Sequence, residues 1–205
     1  MLKVGLTGGY ATGKSFVAAA LERLGCFLIY ADRLGHAALE MGGEAYQPVV
    51  DAFGQGILRT DGSIDRKIVG AKVFGSPELL ARLNSFVHPA VFRMEEQMLA
   101  EWASGNPHGI AVVEAAILIE TGHHKGFDRL IVTTCSEETQ ILRGVKRDHL
   151  TESEVLARLA RQMPFAEKQK YANYVIDTNG SKESTVHQVE VMFDELKQLA
   201  EGGAA

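Results

Sequence analysis

Residues Gly8-Gly9-Tyr10-Ala11-Thr12-Gly13-Lys14-Ser15 match the pattern G-x-x-x-x-G-K-[ST] at every fixed position. The spacing suits a chain of phosphates. Glycines let the backbone curl until successive N–H groups converge on an anion, so Gly8, Gly9, Ala11, Thr12, Gly13 and, beyond Ser15, Phe16 are candidate phosphate contacts. The loop opens into a helical pattern, whose N-terminal partial positive charge adds to the attraction. Lys14 can reach the outer phosphates, and the Ser15 hydroxyl can ligate Mg²⁺. The competing reading is a glycine-rich turn that binds nothing. The strand-like run before it and the helical pattern after it count against that. Tyr10 is bulky for such a loop and has no assigned role.

A phosphate loop names a ligand rather than a reaction. No N-K-x-D guanine-reading motif is present; Asn179-Gly180-Ser181-Lys182 is the nearest approach and fails the spacing. Transfer of a phosphoryl group calls for cations, a metal site and a carboxylate near the acceptor. Asp32 follows an apolar run at the expected carboxyl edge of a sheet, where it could position or deprotonate an acceptor hydroxyl, or instead cap the next helix. Arg143 and Arg147 are four apart on one helix face and can address the same anion; Arg158 and Arg161 could join them. The alternative for these arginines is a solvated basic face, with Arg147 paired to Asp148. Glu114 closes an apolar run where a carboxylate can hold Mg²⁺ through water, and it could equally be an ordinary strand-end charge. Asn179 is a candidate for the nucleotide base. His123 and His124 are adjacent and diverge, so they make a poor metal pair.

The elements that must position these groups follow from hydrophobic runs. Leu2–Thr7, Cys26–Tyr30, Ile110–Val113, Leu130–Thr134 and Tyr174–Asp177 read as strands, continuous rather than alternating, as in a parallel sheet covered on both faces. Lys14–Leu24 reads as a helix stopped by Gly25. The stretch 33–109 is too long for a plain crossover and reads as a helical excursion, with a helix over Pro77–Trp102 that Pro89 should break or kink. Residues 136–164 read as a helical hairpin. Ser136 caps its first helix, Asp148–Leu150 join the two, Thr151 with Glu154 makes a capping box, and Pro164 ends it. A last helix spans Lys182–Leu199, and the tail Gly202-Gly203-Ala204-Ala205 is expected to fray.

Composition narrows the partners. Twenty-six acidic against 21 basic side chains leave a net charge of −5, which argues against broad binding of nucleic acid or anionic membranes. A few local cations still suffice for one small phosphate ligand. Hydrophobic residues make up 46% of the 205, enough for a packed core. No apolar run approaches the roughly 20 residues of a membrane-spanning helix. The N-terminus lacks a signal-peptide pattern, and Cys26 and Cys135 lie inside apolar runs as expected buried hydrophobes in strands. A cytoplasmic location is expected.

The residues also resemble a known family. Gly5-Leu6-Thr7-Gly8-Gly9 through Gly13-Lys14-Ser15 is similar to the opening of dephospho-CoA kinases. Ala31-Asp32 resembles the second half of their D-A-D motif, with Tyr30 where the first Asp usually stands. Asp65-Arg66, Phe74 and His88-Pro89 resemble landmarks of their acceptor-binding region. Ile117 to Glu120 resembles their P-L-L-x-E segment, with Ala116 in place of Pro, and Arg143 to Asp148 resembles their lid. Gln162 and the run Asn173 to Gly180 resemble the closing pattern.

The resemblance implies a three-layer α/β P-loop fold over residues 1–205, with 33–109 as acceptor-binding region and 136–164 as lid. It implies phosphoryl transfer from ATP, with Mg²⁺, to the ribose 3′-hydroxyl of dephospho-CoA. Lys14, Asp32 and Arg143 become the candidate catalytic residues, and Arg147 and Asn179 further nucleotide contacts. Asp32, Arg66 and His88 become candidate acceptor contacts, and Ser15 and Glu114 candidate metal ligands. Another small-molecule P-loop kinase, or an inactive nucleotide-binding regulator, remains open at this point.

Overall fold

The structure, a computed structural model, describes residues 1–202; the predicted fraying from residue 203 onward lies outside the described residues. Five strands form one sheet in the order β2-β3-β1-β4-β5: β1 Leu2–Gly8, β2 Phe27–Tyr30, β3 Ile110–Glu114, β4 Arg129–Thr134 and β5 Tyr174–Asp177. The pairings of β1 with β3 and β4, and of β4 with β5, are all parallel. Strands β1, β3 and β4 are almost wholly buried, which is why they read as continuous apolar runs. Because β1 is central and the chain crosses from β3 on one side of it to β4 on the other, the switch point lies at the carboxyl end of β1.

Helices α1 (Lys14–Arg23) and α9 (Lys182–Gly202) pack on each other and both contact β1 and β3. Val17 and Leu21 from α1, and Val189 and Leu196 from α9, are fully buried beside Val4, Leu6 and Val112. Burying side chains of this size contributes about 1.5–3 kcal/mol each. Helix α9 runs three residues beyond the expected Leu199. Helix α1 ends as Gly25 suggests: Gly25, at φ 96°, donates to Glu22, and the Cys26 N–H reaches back to Leu21. That back-bond explains why Cys26 is buried but precedes β2 rather than lying in a strand. Cys135 is likewise one residue past β4, half-buried, at the turn into the next helix.

The chain divides into two compact units, one of residues 1–29 and 103 onward, the other Tyr30–Trp102. The second contains α2 (Ala31–Ala38), α3 (Tyr46–Phe53), α4 (Arg66–Phe74) and most of α5 (Pro77–Gly105). It has its own apolar cluster of Val49, Val50, Ile57, Ile64 and Val69. Of the break or kink expected at Pro89, the break does not occur: α5 continues through it for 29 residues. Pro89 removes only the N–H that would bond the Ser85 carbonyl, and flanking Ala90 and Val91 are buried, so packing outweighs the lost bond.

After β4 comes the hairpin of α6 (Glu137–Asp148) and α7 (Glu152–Leu159), followed by α8 (Phe165–Lys168). Ser136 caps α6 by accepting from the Thr139 N–H, and Thr151 with Glu154 forms the full capping box on α7. Helix α7 ends earlier than expected. Arg161 lies in the turn beyond it, and Pro164 starts α8 rather than closing the hairpin.

Candidate active site

The phosphate loop leaves β1 at the switch point and enters α1 at Lys14. Gly8 has no room for a Cβ, which would collide with the Thr133 hydroxyl and stand 2.7 Å from the Thr133 carbonyl. Gly13, at φ 84°, takes the left-handed turn into the helix. Ala11 is also left-handed, at φ 57°, a conformation that costs an ordinary residue about 1–2 kcal/mol. The strain sits in the middle of the anion-binding curl, a place where strained backbone tends to be functional.

Side chains brace the loop from beneath. The Thr12 hydroxyl bonds the Gly9 carbonyl at 2.8 Å and lies 2.7 Å from the Thr133 hydroxyl. Lys14 Nζ donates to the carbonyls of Gly8 and Gly9, both at 3.1 Å, arching back over its own loop. Ser15, in the first turn of α1, is exposed. Thr178, just past β5, donates to the Thr12 carbonyl at 3.0 Å. Arg143 on α6 donates through Nη1 to the Ala11 carbonyl (3.2 Å) and to Thr178 Oγ1 (2.9 Å), and through Nη2 to the Thr178 carbonyl (2.6 Å). Its guanidinium therefore ties the hairpin, the loop and the end of β5 together. Cys135 Sγ lies 3.6 Å from the same Nη1; burial raises the thiol pKa, and the nearby guanidinium opposes this.

The remaining predicted residues of the loop side have defined partners, Arg147 in the alternative pairing with Asp148 and Glu114 at the expected strand end. Asn179 Oδ1 accepts from the Ser136 N–H at 2.8 Å and the Thr139 hydroxyl at 3.2 Å, while its amide donates to Asp177 at 2.7 Å. Its side chain thus joins the loop after β5 to the start of α6. Arg147 pairs with the neighbouring Asp148 through two bonds of 2.7 and 2.9 Å. The pair holds the Asp148 carboxyl well below the usual carboxylate range, through the Arg147 bonds first and the Tyr10 hydroxyl second. Glu114 ends β3, buried, in register with Leu6. Serine hydroxyl and carboxylate are hard oxygen donors that fit Mg²⁺. Among the described residues no three His, Cys, Asp or Glu side chains cluster as a cage. His123 and His124 make edge contacts with Phe127 and Tyr171 respectively.

In the Tyr30–Trp102 unit, Asp32 is exposed in the first turn of α2. It does not cap that helix: the capping position is Tyr30, and no side-chain capping bond forms. Tyr30 lies under the Arg33 guanidinium, 4.3 Å from ring centre. Arg66 opens α4, exposed, with Asp65 capping the helix through the N–H groups of Lys67 and Ile68. His88 is half-buried on α5, its ring 6.0 Å from that of Phe92.

Several residues of the phosphate side were not singled out by type or spacing. Gln140 donates to the Tyr10 carbonyl at 2.7 Å, and Gln162 accepts from the Tyr10 N–H at 2.6 Å. Lys168, only 1% exposed, bonds Glu120 at 2.7 Å and the Ala116 carbonyl at 3.2 Å. Gln162 was visible only as a family landmark. A lysine on a four-residue helix carries no periodicity that would announce burial. Beside the loop lies a cavity of about 550 Å³, lined by Gly9, Thr12, Thr133, Gln140, Gln162 and Lys168 among others.

A phosphate loop at the switch point of a parallel sheet, with a helical insertion after β2 and a helical hairpin after β4, defines a P-loop kinase fold. A sequence profile described as dephospho-CoA kinase matches residues 2–184, and the chain belongs to that family. It is 44% identical over 191 residues to a dephospho-CoA kinase of Geobacter sulfurreducens, covering 93% of this chain and 96% of the relative. A crystal structure from Thermus thermophilus is similar with a TM-score of 0.79 at 30% identity, covering 95% of this chain and 97% of the other. A dephospho-CoA kinase structure from Campylobacter jejuni gives 0.64 at 25% identity, covering 95% and 96%. No helix among the described residues is long and apolar enough to cross a membrane.

Proposed function

We propose that this chain transfers the γ-phosphoryl group of ATP to the ribose 3′-hydroxyl of dephospho-CoA, giving coenzyme A and ADP. Membership of the dephospho-CoA kinase family over residues 2–184 is the observation that carries this reading.

The loop from Gly8 to Phe16 supplies N–H groups to the phosphates. Lys14 exchanges its bonds to the Gly8 and Gly9 carbonyls for the outer phosphate oxygens as charge develops there. Arg143 fixes the Ala11 carbonyl, so the strained curl keeps its shape without a ligand, and it would add a cation beside the nucleotide phosphates. Arg147 is a further cation for the nucleotide, and Asn179 shapes the loop on which the base would rest. Ser15 and Glu114 are the residues that would hold Mg²⁺, which when bound neutralises charge on the phosphate oxygens. Asp32 orients the acceptor hydroxyl and takes its proton, and Arg66 and His88 contact the acceptor. We assign residues 33–109 as the acceptor-binding region and 136–164 as the lid of one kinase domain, the lid excluding water that competes as nucleophile. A cytoplasmic setting without nucleic-acid partners fits the two free thiols and the net charge of −5.

The test is coupled ADP release with dephospho-CoA against a panel of nucleosides, nucleotides and small alcohols, with the product phosphate located by NMR. Turnover on dephospho-CoA with the phosphate on the 3′-oxygen is expected. Silence on dephospho-CoA with robust turnover of another acceptor rejects the reading.

A further inference from the structure

Tyr10 is the residue of the phosphate loop whose size the pattern does not explain, and the hairpin holds every part of it. Its N–H donates to Gln162, its carbonyl accepts from Gln140, and its hydroxyl bonds Asp148 at the end of α6. The guanidinium groups of Arg147 and Arg158, one from each helix of the hairpin, stand 5.3 and 5.5 Å from the centre of its ring. Cation–ring contacts of this kind contribute about 0.5–1 kcal/mol each where exposed. The ring lies against Gly144, where an added Cβ would come within 2.8 Å of Tyr10 Cε1 and 2.8 Å of Val155 Cγ2. A glycine inside α6 costs about 1 kcal/mol of helix propensity relative to alanine, and here it makes room for the ring. The side chain therefore touches α6 at its middle and its end and α7 through Arg158, while the backbone N–H reaches the segment beyond α7 through Gln162.

We propose that Tyr10 is a positioning residue that sets the register of the α6–α7 hairpin on the phosphate loop. This rests on the kinase reading above. In that register Arg147 and Arg158 stand at a fixed place relative to the phosphates, and the hairpin shields the transferring group from water. Tyr10 itself touches no reacting atom. Its ring packs on the hairpin side of the loop, against Gly144 and Asp148 of α6. Its loss loosens the hairpin without removing any phosphate-binding N–H group.

Full-length Tyr10→Phe, Tyr10→Leu and Gly144→Ala proteins test this. In amide hydrogen exchange without substrates, residues 137–160 should exchange at least about threefold faster in Tyr10→Leu, with a smaller rise in Tyr10→Phe, which keeps the ring. With ATP and dephospho-CoA, kcat for transfer should fall about tenfold in Tyr10→Leu while KM for ATP stays within about twofold. The ratio of phosphate lost to water over phosphate transferred should rise about fivefold. Gly144→Ala should raise the same ratio in the Tyr10 background and by a smaller factor in the Tyr10→Leu background, where the Val155 contact alone remains. Unchanged hairpin exchange in Tyr10→Leu overturns the proposal. So does a fall in kcat that merely tracks the folded fraction at a constant hydrolysis-to-transfer ratio. If the wild-type protein fails to phosphorylate dephospho-CoA, the kinase reading falls, and the substrate-free exchange measurement still judges the register on its own.

Discussion

The phosphate-loop region and the Tyr30–Trp102 unit hold their candidate functional groups by opposite means. Around the loop nearly every polar group is bonded to another element: Thr12 to Thr133, Thr178 to Thr12, Arg143 to Ala11 and Thr178, Gln140 and Gln162 to Tyr10. In the helical unit Asp32 and Arg66 are exposed, while an apolar cluster holds the helices together. Triphosphate is small, rigid in its demands and the same in every turnover, so its cradle can be built in advance from backbone and fixed side chains. An acceptor as large as a coenzyme needs surface and reach, and exposed groups on packed helices provide both. Substitutions at the loop should therefore move activity and stability together, whereas those on the helical unit should move activity alone.

Lys14→Ala should do most damage, lowering kcat/KM about a thousandfold, as expected for removing a cation from the transferring group. Steady-state kinetics would show it, and a loss under tenfold would remove Lys14 from the mechanism. Asp32→Asn is the sharper probe of the contrast. It should lower kcat about a hundredfold while ATP affinity and melting temperature stay unchanged, by kinetics, calorimetry and thermal melting. A fall in melting temperature as large as that of a loop variant would break the comparison. Arg143→Lys should fail to restore the three-way tie, since an ammonium lacks the planar fork. About 1–2 kcal/mol of stability should go with it, read as a melting temperature lower by a few degrees, with kcat/KM down about tenfold.

Lys168→Met leaves the Glu120 carboxylate without its partner and should destabilise by about 2–3 kcal/mol in denaturant unfolding. Adding Glu120→Gln should return much of this, and a purely additive double variant would show that the pair does not act as a unit.

The smallest effect concerns Asp148. Its folded pKa is depressed, so its contribution is present above the unfolded carboxylate value near ~3.9 and is lost as pH falls through the folded one. The melting-temperature gap between wild type and Asp148→Asn should be constant from about pH 5 to 9 and shrink below about pH 4. A gap that closes at neutral pH instead would dissociate Asp148 from Arg147 and Tyr10.

Much of this was legible in the residues because the signals are local. The phosphate loop is a backbone device, and its glycines, lysine and serine sit at fixed offsets. The strands show as unbroken apolar runs because both faces are covered, and the caps at Ser136 and Thr151 involve partners three residues away. Pro89 misled because helix rules consider one turn, while α5 is held along 29 residues by packing. The bracing of the loop was hidden for a related reason. Arg143 and Thr178 are 35 positions apart, Tyr10 and Gln162 are 152 apart, and no periodicity links them. Arginine at 143 looked like a hand for phosphate; only the fold shows that it also grips the loop.

Gly144 and Tyr10 carry a consequence for how this protein can drift. A ring at position 10 needs the empty space over residue 144, a space that the ring shares with Val155. Among diverging homologues the two positions should thus vary in concert, small with aromatic and larger with aliphatic. Transplanting either residue alone into a relative should be worse than transplanting both.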